Sequence, residues 1–241
     1  MTADEKLKEY RKKRRFSVTP EPGGERPPRG RTAKRLSFVV HKHRASHLHY
    51  DLRLEWNGVL LSWAVPKGPS LDPSVKRLAM AVEDHPIDYA GFEGVIPEGE
   101  YGGGTVMIWD KGTYVPEEPD VGKSVERGQL KFTFYGKKLK GSWVLVRTGS
   151  RYAADRGNRS WLLIKHRDTF ASTRDVTAEE PRSVKSHRLL AEIALDEGGD
   201  VIKAAEGDPA EALRVLLDRN PKVASRRRGR KAAVWSSRGA S

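Results

Sequence analysis

The chain has 241 residues, a net charge of +13 and no cysteine. The absence of cysteine excludes disulfides, thiolate nucleophiles and cysteine-ligated zinc, and it is typical of a reducing interior. No apolar run approaches the length of a membrane span and the charged start lacks a signal-peptide core, so we expect a cytoplasmic protein without a membrane segment.

Basic residues concentrate at the two ends of the chain. Residues 1–35 hold 12 Lys or Arg and 5 Asp or Glu, a balance of +7, and residues 221–241 hold 7 and none, again +7. The middle of the chain therefore sums to −1. Basic arms of this kind are typical of sequence-independent phosphate binding, and solubilising tails are the alternative interpretation.

The N-terminal basic segment divides into two parts. The charged stretch from Asp4 to Arg15 predicts a short helix, and the sequence FSVTPEPGGERPPRGR after it interrupts regular structure with its Pro and Gly residues. We therefore expect an extended arm that becomes ordered on its substrate.

The stretch from Phe38 to Trp63 contains four of the seven histidines. From Leu48 to Trp56 apolar residues alternate with polar ones, which is the period-two pattern of a half-buried strand. Asn57-Gly58 is a two-residue turn signal, so residues 59–65 should run antiparallel to this strand. One face of the strand should be core, and the other should carry the chemistry.

The polar face of this strand holds a candidate metal site. His49 and Asp51 lie two residues apart, so their side chains should leave the same face about 6–7 Å apart at their bases. An imidazole with a carboxylate suits Mn²⁺, Zn²⁺ or Fe²⁺, and His43 could add a ligand if residues 44–46 fold the chain back. Arg53 would then point at an anion on the metal. For the His49 and Asp51 pair alone, an ordinary solvated sheet face is the commoner interpretation.

The middle of the chain contains further strand-like segments, which are residues 77–83, Thr105 to Asp110, residues 129–135, residues 142–147 and residues 160–166. Many short strands at close spacing favour a barrel. His85 lies in a loop before a proline and beside acidic residues, which makes it a catalytic candidate, although most solitary loop histidines have no specific role.

The character of the sequence changes beyond Asp168. Ser186 to Asp196 and Asp208 to Arg219 have helical patterns, and Asp208 with Pro209 predicts the start of the second helix. The basic sequence SRRRGRK follows. This segment is a candidate docking or DNA-binding appendage.

Beyond these single patterns, the chain resembles a known family. The stretches HKHRASHLHYDLRLEWNGVLLSWAVPKGPSLDP, KRLAMAVEDHPIDYAGFEGVIPEGEYGGGTVMIWDKGTY and WLLIKHRD resemble the 3′-phosphoesterase module of the bacterial ATP-dependent DNA ligase D. The resemblance implies a stand-alone form of that module, mainly β, with a compact antiparallel β-barrel flanked by short helices. We expect a basic arm over residues 1–35, the barrel over residues 36–170, and a helical segment with a basic tail over residues 171–241.

The resemblance also implies an activity and its residues. The expected enzyme removes a 3′-terminal ribonucleoside and then the 3′-phosphate, leaving a 3′-OH for end joining. The implied metal ligands are His43, His49 and Asp51, and the implied catalytic residues are His85, Arg53, Tyr89, Lys67 and Arg77. The implied substrate-binding residues are Arg14, Glu21 and Glu83.

The resemblance extends to the cofactor and the partners. The expected cofactor is Mn²⁺, with Zn²⁺ or another divalent transition metal as the alternative. The expected substrates are DNA or RNA/DNA 3′ ends of primer-templates, and the expected partners are a separate end-joining ligase, a polymerase and Ku proteins. The protein would then be a nucleoid-associated monomer.

Two positions depart from the family pattern. Arg15 replaces an acidic residue and His41 replaces an amide, so we expect both reaction steps to be present with a changed ratio of their rates. We expect surface or supporting roles for His41 and His47. The alternative function is a non-catalytic nucleic-acid-binding partner of a repair ligase or polymerase, which the basic arms alone would support.

Overall fold

The computed structural model of the chain describes residues 2–24, 35–148 and 159–220. Its strands are β1 Leu36–Arg44, β2 Leu48–Trp56, β3 Val59–Val65, β4 Lys76–Ala81, β5 His85–Pro86, β6 Gly94–Ile96, β7 Gly104–Pro116, β8 Gln129–Gly136, β9 Lys140–Arg147 and β10 Ser160–Lys165. Its helices are α1 Ala3–Lys6, α2 Lys8–Lys12, α3 Val121–Arg127, α4 Val176–Glu179, α5 Leu190–Asp196, α6 Val201–Ala205 and α7 Ala210–Arg219, with a 3-10 helix at Ile87–Gly91. The C-terminal basic tail and residues 25–34 of the arm lie outside the described residues.

Eight of the described strands close into an antiparallel barrel. Their order is β1–β2–β3–β4–β10–β9–β8–β7, and β7 pairs back with β1 along most of its length. The short strands β5 and β6 pair with β3 and β7 respectively. The sequence-based prediction of a mainly β protein with an antiparallel barrel and short helices is therefore confirmed.

The β2–β3 hairpin follows the predicted alternation. Asn57 and Gly58 have φ angles of 47° and 79°, which are the left-handed conformations that a two-residue turn between twisted strands requires. Leu52 and Leu54 enter the barrel core with Trp63. Because neighbouring residues of a strand point to opposite sides, the polar residues of β2 lie on the outer face.

The C-terminal helices belong to the same core as the barrel. Leu190 and Ile193 of α5 pack in one cluster with Tyr50 and Trp109 from inside the barrel. Among the helices that the structure describes, none is long and apolar enough to cross a membrane. The helical segment is therefore part of the barrel's packing, whatever else it binds.

The predicted start of the last helix was wrong. Helix α7 begins at Ala210, with Pro209 as its N-cap, and Asp208 instead accepts hydrogen bonds from the backbone N–H groups of Leu190 and Ala191 at the start of α5. A carboxylate at a helix N-terminus satisfies donors that lack partners within the helix. The sequence showed a capping residue, but it belongs to a helix that precedes it in the chain.

The described part of the N-terminal arm folds onto the outside of the barrel. Helices α1 and α2 form within the predicted helical stretch, and Leu7 and Tyr10 are buried against Leu60, Tyr89 and Phe92. The Tyr10 hydroxyl also donates to the carbonyl of Pro22 at 2.7 Å. The helical stretch thus forms as two short helices, whereas the extended arm expected after it was wrong for residues 16–24, because Tyr10 and Arg14 hold this stretch through Pro22 and Glu21.

Candidate active site

Two histidines and an aspartate meet on the outer face of the first hairpin. Asp51 Oδ2 lies 3.8 Å from His43 Nδ1 and 3.7 Å from His49 Nε2, and the three potential ligand atoms all lie within 4.8 Å of one another. His43 and His49 are directly paired across β1 and β2, because the chain reverses between Arg44 and Leu48. The structure thus brings together the three ligands that the sequence suggested.

The hydrogen bonds of the two imidazoles prepare them to bind a metal. His43 Nε2 lies 2.8 Å from the Gly102 carbonyl, and His49 Nδ1 lies 3.0 Å from the His47 carbonyl. Because a carbonyl oxygen can only accept, these nitrogens carry the protons, and lone pairs remain on the two nitrogens that face Asp51. Such outer hydrogen bonds fix the ring and tautomer of metal-binding histidines. The donor set fits a divalent transition metal.

The electrostatics of the site favour the ligand forms of these groups. Burial alone would raise the pKa of Asp51, but the Arg53 guanidinium and the two imidazoles outweigh burial and hold that pKa well below its usual range. Burial lowers the pKa of His49. A carboxylate and a neutral imidazole are the forms that coordinate a metal.

Arg53 links the metal ligands to the remainder of the polar cluster, and it is only 3% exposed. It donates to Asp51 Oδ2 at 3.1 Å, to Ser62 Oγ at 3.0 Å and to His41 Nδ1 at 3.3 Å. Its guanidinium carbon also lies 4.9 Å from the centroid of the Tyr89 ring. These contacts hold the guanidinium in one orientation beside the metal ligands.

His85 lies between two guanidinium groups. Its Nδ1 is 2.9 Å from the carbonyl oxygen of Glu83, and its Nε2 is 3.2 Å from Nη2 of Arg14. Nδ1 also lies 2.9 Å from Nη1 of Arg53, so each ring nitrogen faces a guanidinium donor. Burial, with Arg53 and Arg14 nearby, lowers the pKa of His85 well below its ordinary value. His85 is therefore a buried neutral imidazole with a guanidinium in front of each ring nitrogen.

The N-terminal arm completes this cluster. Arg14 donates to Glu21 at 2.8 Å and to Glu83 at 3.3 Å, and its guanidinium carbon lies 3.9 Å from the centroid of the Tyr10 ring. The side chains of Arg14 and Glu21 are 5% and 0% exposed, and Thr19 donates to the second oxygen of Glu21. The implied substrate-binding residues thus form a buried network next to His85.

The structure does not bring Lys67 or Arg77 into this cluster. Lys67 is exposed in the loop after β3, at the end of the barrel where the β1–β2 turn lies. Arg77 pairs with the buried Leu163 and shares its inward-facing side of the barrel wall. Among the described hydrogen bonds, neither side chain donates to the metal ligands, Arg53 or His85.

The two histidines outside the ligand set have different surroundings. His47 is exposed in the turn, as expected, but a surface position for His41 was wrong, because its side chain is fully buried between Arg53 and Tyr89. Burial and Arg53 lower the pKa of His41 to about 3, so it is a neutral acceptor for Arg53. The supporting role that we expected for it is consistent with this contact.

Ser62 was missed by the sequence analysis although the turn contains the signal. A two-residue turn at residues 57 and 58 places Arg53 directly opposite Ser62, which is the observed pairing. A small hydroxyl residue opposite a candidate anion-binding arginine is a natural acceptor for it.

Comparison with known proteins identifies the family of this site. Residues 41–147 match the family model described as the DNA ligase D 3′-phosphoesterase domain. The chain is 50% identical over 194 residues to the multifunctional non-homologous end joining protein LigD of Pseudomonas aeruginosa, an alignment that covers 79% of this chain and 22% of that protein. It is 44% identical over 153 residues to the multifunctional non-homologous end joining DNA repair protein LigD of Mycobacterium tuberculosis, covering 63% and 20%. The chain spans about a fifth of the length of these curated relatives.

Proposed function

Since residues 41–147 belong to the DNA ligase D 3′-phosphoesterase domain family, we propose that this chain is a metal-dependent phosphoesterase that trims the 3′ ends of DNA. The observation that carries the proposal is the continuous buried network from the metal ligands through Arg53 and His85 to Arg14. A module that only bound nucleic acid would not need two guanidinium groups, a neutral imidazole and a metal-binding triad in one cluster.

The residues of this cluster suit the binding of a phosphate. Arg53 and Arg14 provide fixed cations on both sides of His85, and charge-assisted hydrogen bonds from guanidinium groups are the strong ones for phosphate oxygens. Because these donors are already held in place, they stabilise charge that grows on the phosphate without reorganising. Tyr89 packs its ring against His85, with centroids 4.8 Å apart, and keeps water from that side.

We assign the metal-binding role to His43, His49 and Asp51. When bound there, a divalent ion supplies Lewis-acid stabilisation of a phosphate oxygen. Two imidazoles with one carboxylate suit Mn²⁺, which is the ion we propose, with Zn²⁺ or another divalent transition metal as the alternative. Asp51 is also the point where the ligand set meets Arg53, so its loss affects both parts of the cluster.

His85 is the proposed proton-transfer residue. Its Nδ1 lies against the Glu83 carbonyl and Arg53, so we assign the exchange of a proton with the substrate to Nε2, on the side of Arg14. A phosphate anion bound beside Nε2 would raise the pKa of His85, and the protonated ring could then protonate the leaving oxygen. Arg14, Glu21 and Glu83 position this end of the cluster.

The proposed substrates are DNA or RNA/DNA 3′ ends of primer-templates. In the first step water attacks the phosphorus and the bond to O5′ of the terminal ribonucleoside breaks, which leaves a 3′-phosphate and a nucleoside whose O5′ gains a proton. In the second step water releases that phosphate and leaves a 3′-OH for end joining. We place the exposed Lys67 on the nucleic-acid backbone outside the cluster, whereas Arg77 faces into the barrel and is given no contact with the strand. Separate ligase, polymerase and Ku proteins would use the product.

The test is to incubate the protein with primer-templates that end in a 3′-ribonucleoside or a 3′-phosphate, with Mn²⁺ and with a chelator. We expect release of nucleoside and of phosphate that requires the metal. Tight binding to these ends without any release in Mn²⁺, Zn²⁺ or another divalent metal would contradict the proposal. It would support the alternative of a non-catalytic partner of a repair ligase or polymerase.

A further inference from the structure

The loop between β6 and β7 brings an aromatic side chain to the mouth of the candidate active site. Residues 97–103 connect Ile96 to Gly104, and the carbonyl of Gly102 accepts the hydrogen bond from His43. Thr105 pairs with Arg44, so this loop lies at the same end of the barrel as the metal ligands. Tyr101 immediately precedes the carbonyl that fixes a metal ligand.

Tyr101 is an exposed ring among cations. It is 48% exposed, and Lys13 Nζ and the Arg14 guanidinium carbon lie 5.0 and 5.4 Å from its centroid. The next arm residue, Arg15, forms an ion pair with Glu100. The arm and the loop thus meet around the Tyr101 ring, and the ring lies beside Arg14, which is proposed to bind the phosphate. None of the contacts described for Tyr101 covers its exposed part.

The charges around Tyr101 indicate which part of a substrate it would contact. The loop itself carries two acidic residues, Glu98 and Glu100. The neighbouring Lys13 of the arm is already paired with Glu83, so neither the loop nor Lys13 offers a free cation for a phosphate backbone. Lys67 is exposed at the same end of the barrel but on the β3 side of the metal ligands. The polyanionic strand is therefore better placed toward Lys67, and an uncharged group is better placed on Tyr101.

The proposed reaction supplies such an uncharged group. In the diester step the leaving ribonucleoside carries a base and a sugar but no phosphate of its own. Bases stack on aromatic side chains with little sequence preference, because every base has a π-face. Resting on the proposed function, we infer that Tyr101 is the platform on which the base of the leaving 3′-terminal ribonucleoside stacks.

The inference separates the two reaction steps. The diester step has a leaving nucleoside to position, whereas the monoester step has only phosphate to release. Loss of the Tyr101 ring should therefore lower kcat/KM for the diester substrate by about tenfold, within the range measured for single base-stacking contacts. The monoester step should change by much less, because the ring meets the phosphate cluster only through its contact with Arg14 at 5.4 Å.

The experiment compares Tyr101→Ala and Tyr101→Phe with wild type on three primer-templates in Mn²⁺. These end in a 3′-ribonucleoside, in a 3′-ribose without its base, and in a 3′-phosphate. We expect Tyr101→Ala to be impaired on the first far more than on the other two, Tyr101→Phe to resemble wild type, and wild type to lose the same factor when the base is absent. Tyr135→Ala is the matched control, because Tyr135 is 47% exposed and has Arg35 over its ring at 4.5 Å.

The control residue lies far from the loop. Tyr135 pairs with Thr113, which is eight residues along β7 from Thr105, or about 26 Å at the rise of a strand. Equal losses on the diester and monoester substrates, or a Tyr101→Ala defect that persists without the base, would overturn the inference. If wild type releases nothing from any of the three ends, the proposed function is overturned together with the inference. If wild type is active and Tyr101→Ala is equally active on all three ends, only the inference is overturned.

Discussion

The two halves of the candidate active site are built in different ways. The metal half, His43, His49 and Asp51, comes from one hairpin and spans nine residues of sequence. The anion half joins Arg14 from the arm to Arg53 and His85 from the barrel, and the contact between Arg14 and His85 spans 71 residues. The first half needs only a correct strand register, whereas the second needs the arm to be docked.

This difference has energetic consequences. The metal half is fixed by backbone pairing between adjacent strands, which an isolated side-chain replacement leaves intact. The anion half depends on the buried pair of Arg14 and Glu21, and removing one member of such a pair leaves an uncompensated charge that costs about 3–5 kcal/mol. We therefore expect changes in the metal half to act on chemistry, and changes in the anion half to act on both chemistry and arm docking.

The largest effect is expected from Asp51→Asn. The change removes the anionic metal ligand and the negative charge that faces Arg53, so turnover on either 3′ end should fall by about 10² or more, with weaker Mn²⁺ binding. Titration of Mn²⁺ with the release assay measures both. His47→Ala is the control in the same hairpin, because its exposed ring is not used and its carbonyl is retained. Undiminished turnover of Asp51→Asn at saturating Mn²⁺ would remove the metal assignment.

A smaller loss, about tenfold to a hundredfold, is expected from Arg14→Gln, because Arg53 remains to bind the phosphate. The single change should also loosen the arm, since Glu21 is left buried without its cation. Limited proteolysis of the arm and the release assay measure the two effects.

The double variant Arg14→Gln with Glu21→Gln separates these two causes. Neutralising both members removes the stranded charge, so the arm should dock again, while turnover should stay low because the guanidinium is missing. Mn²⁺ affinity should remain that of wild type in both variants. Restored turnover in the double variant would show that Arg14 acts only as an anchor for the arm, and would contradict its placement at the phosphate.

The same division explains how much of the site could be predicted from the sequence. The ligand set follows from period-two spacing, and the pairing of His43 with His49 follows from a short turn between two strands. The register of Arg53 with Ser62 also follows from a turn, at Asn57. These are local relations, and a strand pattern together with a turn is enough to specify them.

The arm could not be predicted in the same way. Leu7 and Tyr10 are two apolar residues within a strongly charged stretch, and only the barrel surface that receives them shows that they are anchors. The burial of His41 and the cap that Asp208 makes to α5 depend likewise on which elements meet in space. The resemblance to a family named the arm residues, but it gave no account of how they are held.

A third prediction concerns pH and uses Asp84, which precedes His85 in the chain and is near Lys6 of the arm. Burial raises the pKa of this carboxyl to about 6, although Lys6 of the arm opposes the rise. Between about pH 4 and pH 6 the folded protein therefore binds a proton that the unfolded chain does not, so this residue contributes stability at low pH that is lost as the pH rises through 6.

Asp84→Asn should remove that contribution. The variant should be more stable than wild type above pH 6, by about 1–2 kcal/mol after allowance for partial exposure, and the difference should vanish toward pH 4. Urea unfolding of both proteins across this range measures the difference in their free energies of unfolding. Contributions of the histidines are common to both proteins and cancel in this difference. A difference that does not change with pH would mean that Asp84 is ionised in the folded protein as it is in the unfolded chain.

The smallest effect is expected from His41→Gln, at the junction of the two halves. His41 Nδ1 only accepts from Arg53, and a glutamine oxygen can accept in its place, so turnover should change by less than about tenfold. His41→Leu is the matched comparison, because it leaves the buried Arg53 Nε without an acceptor and should be more damaging.

Arg53 and Tyr89 both contact His41, so a small shift of the Arg53 guanidinium should alter the leaving-group side of the phosphate. We therefore expect His41→Gln to change the ratio of ribonucleoside release to phosphate release while Mn²⁺ affinity stays constant. Equal changes in both steps, or an altered Mn²⁺ affinity, would place His41 in the metal half instead.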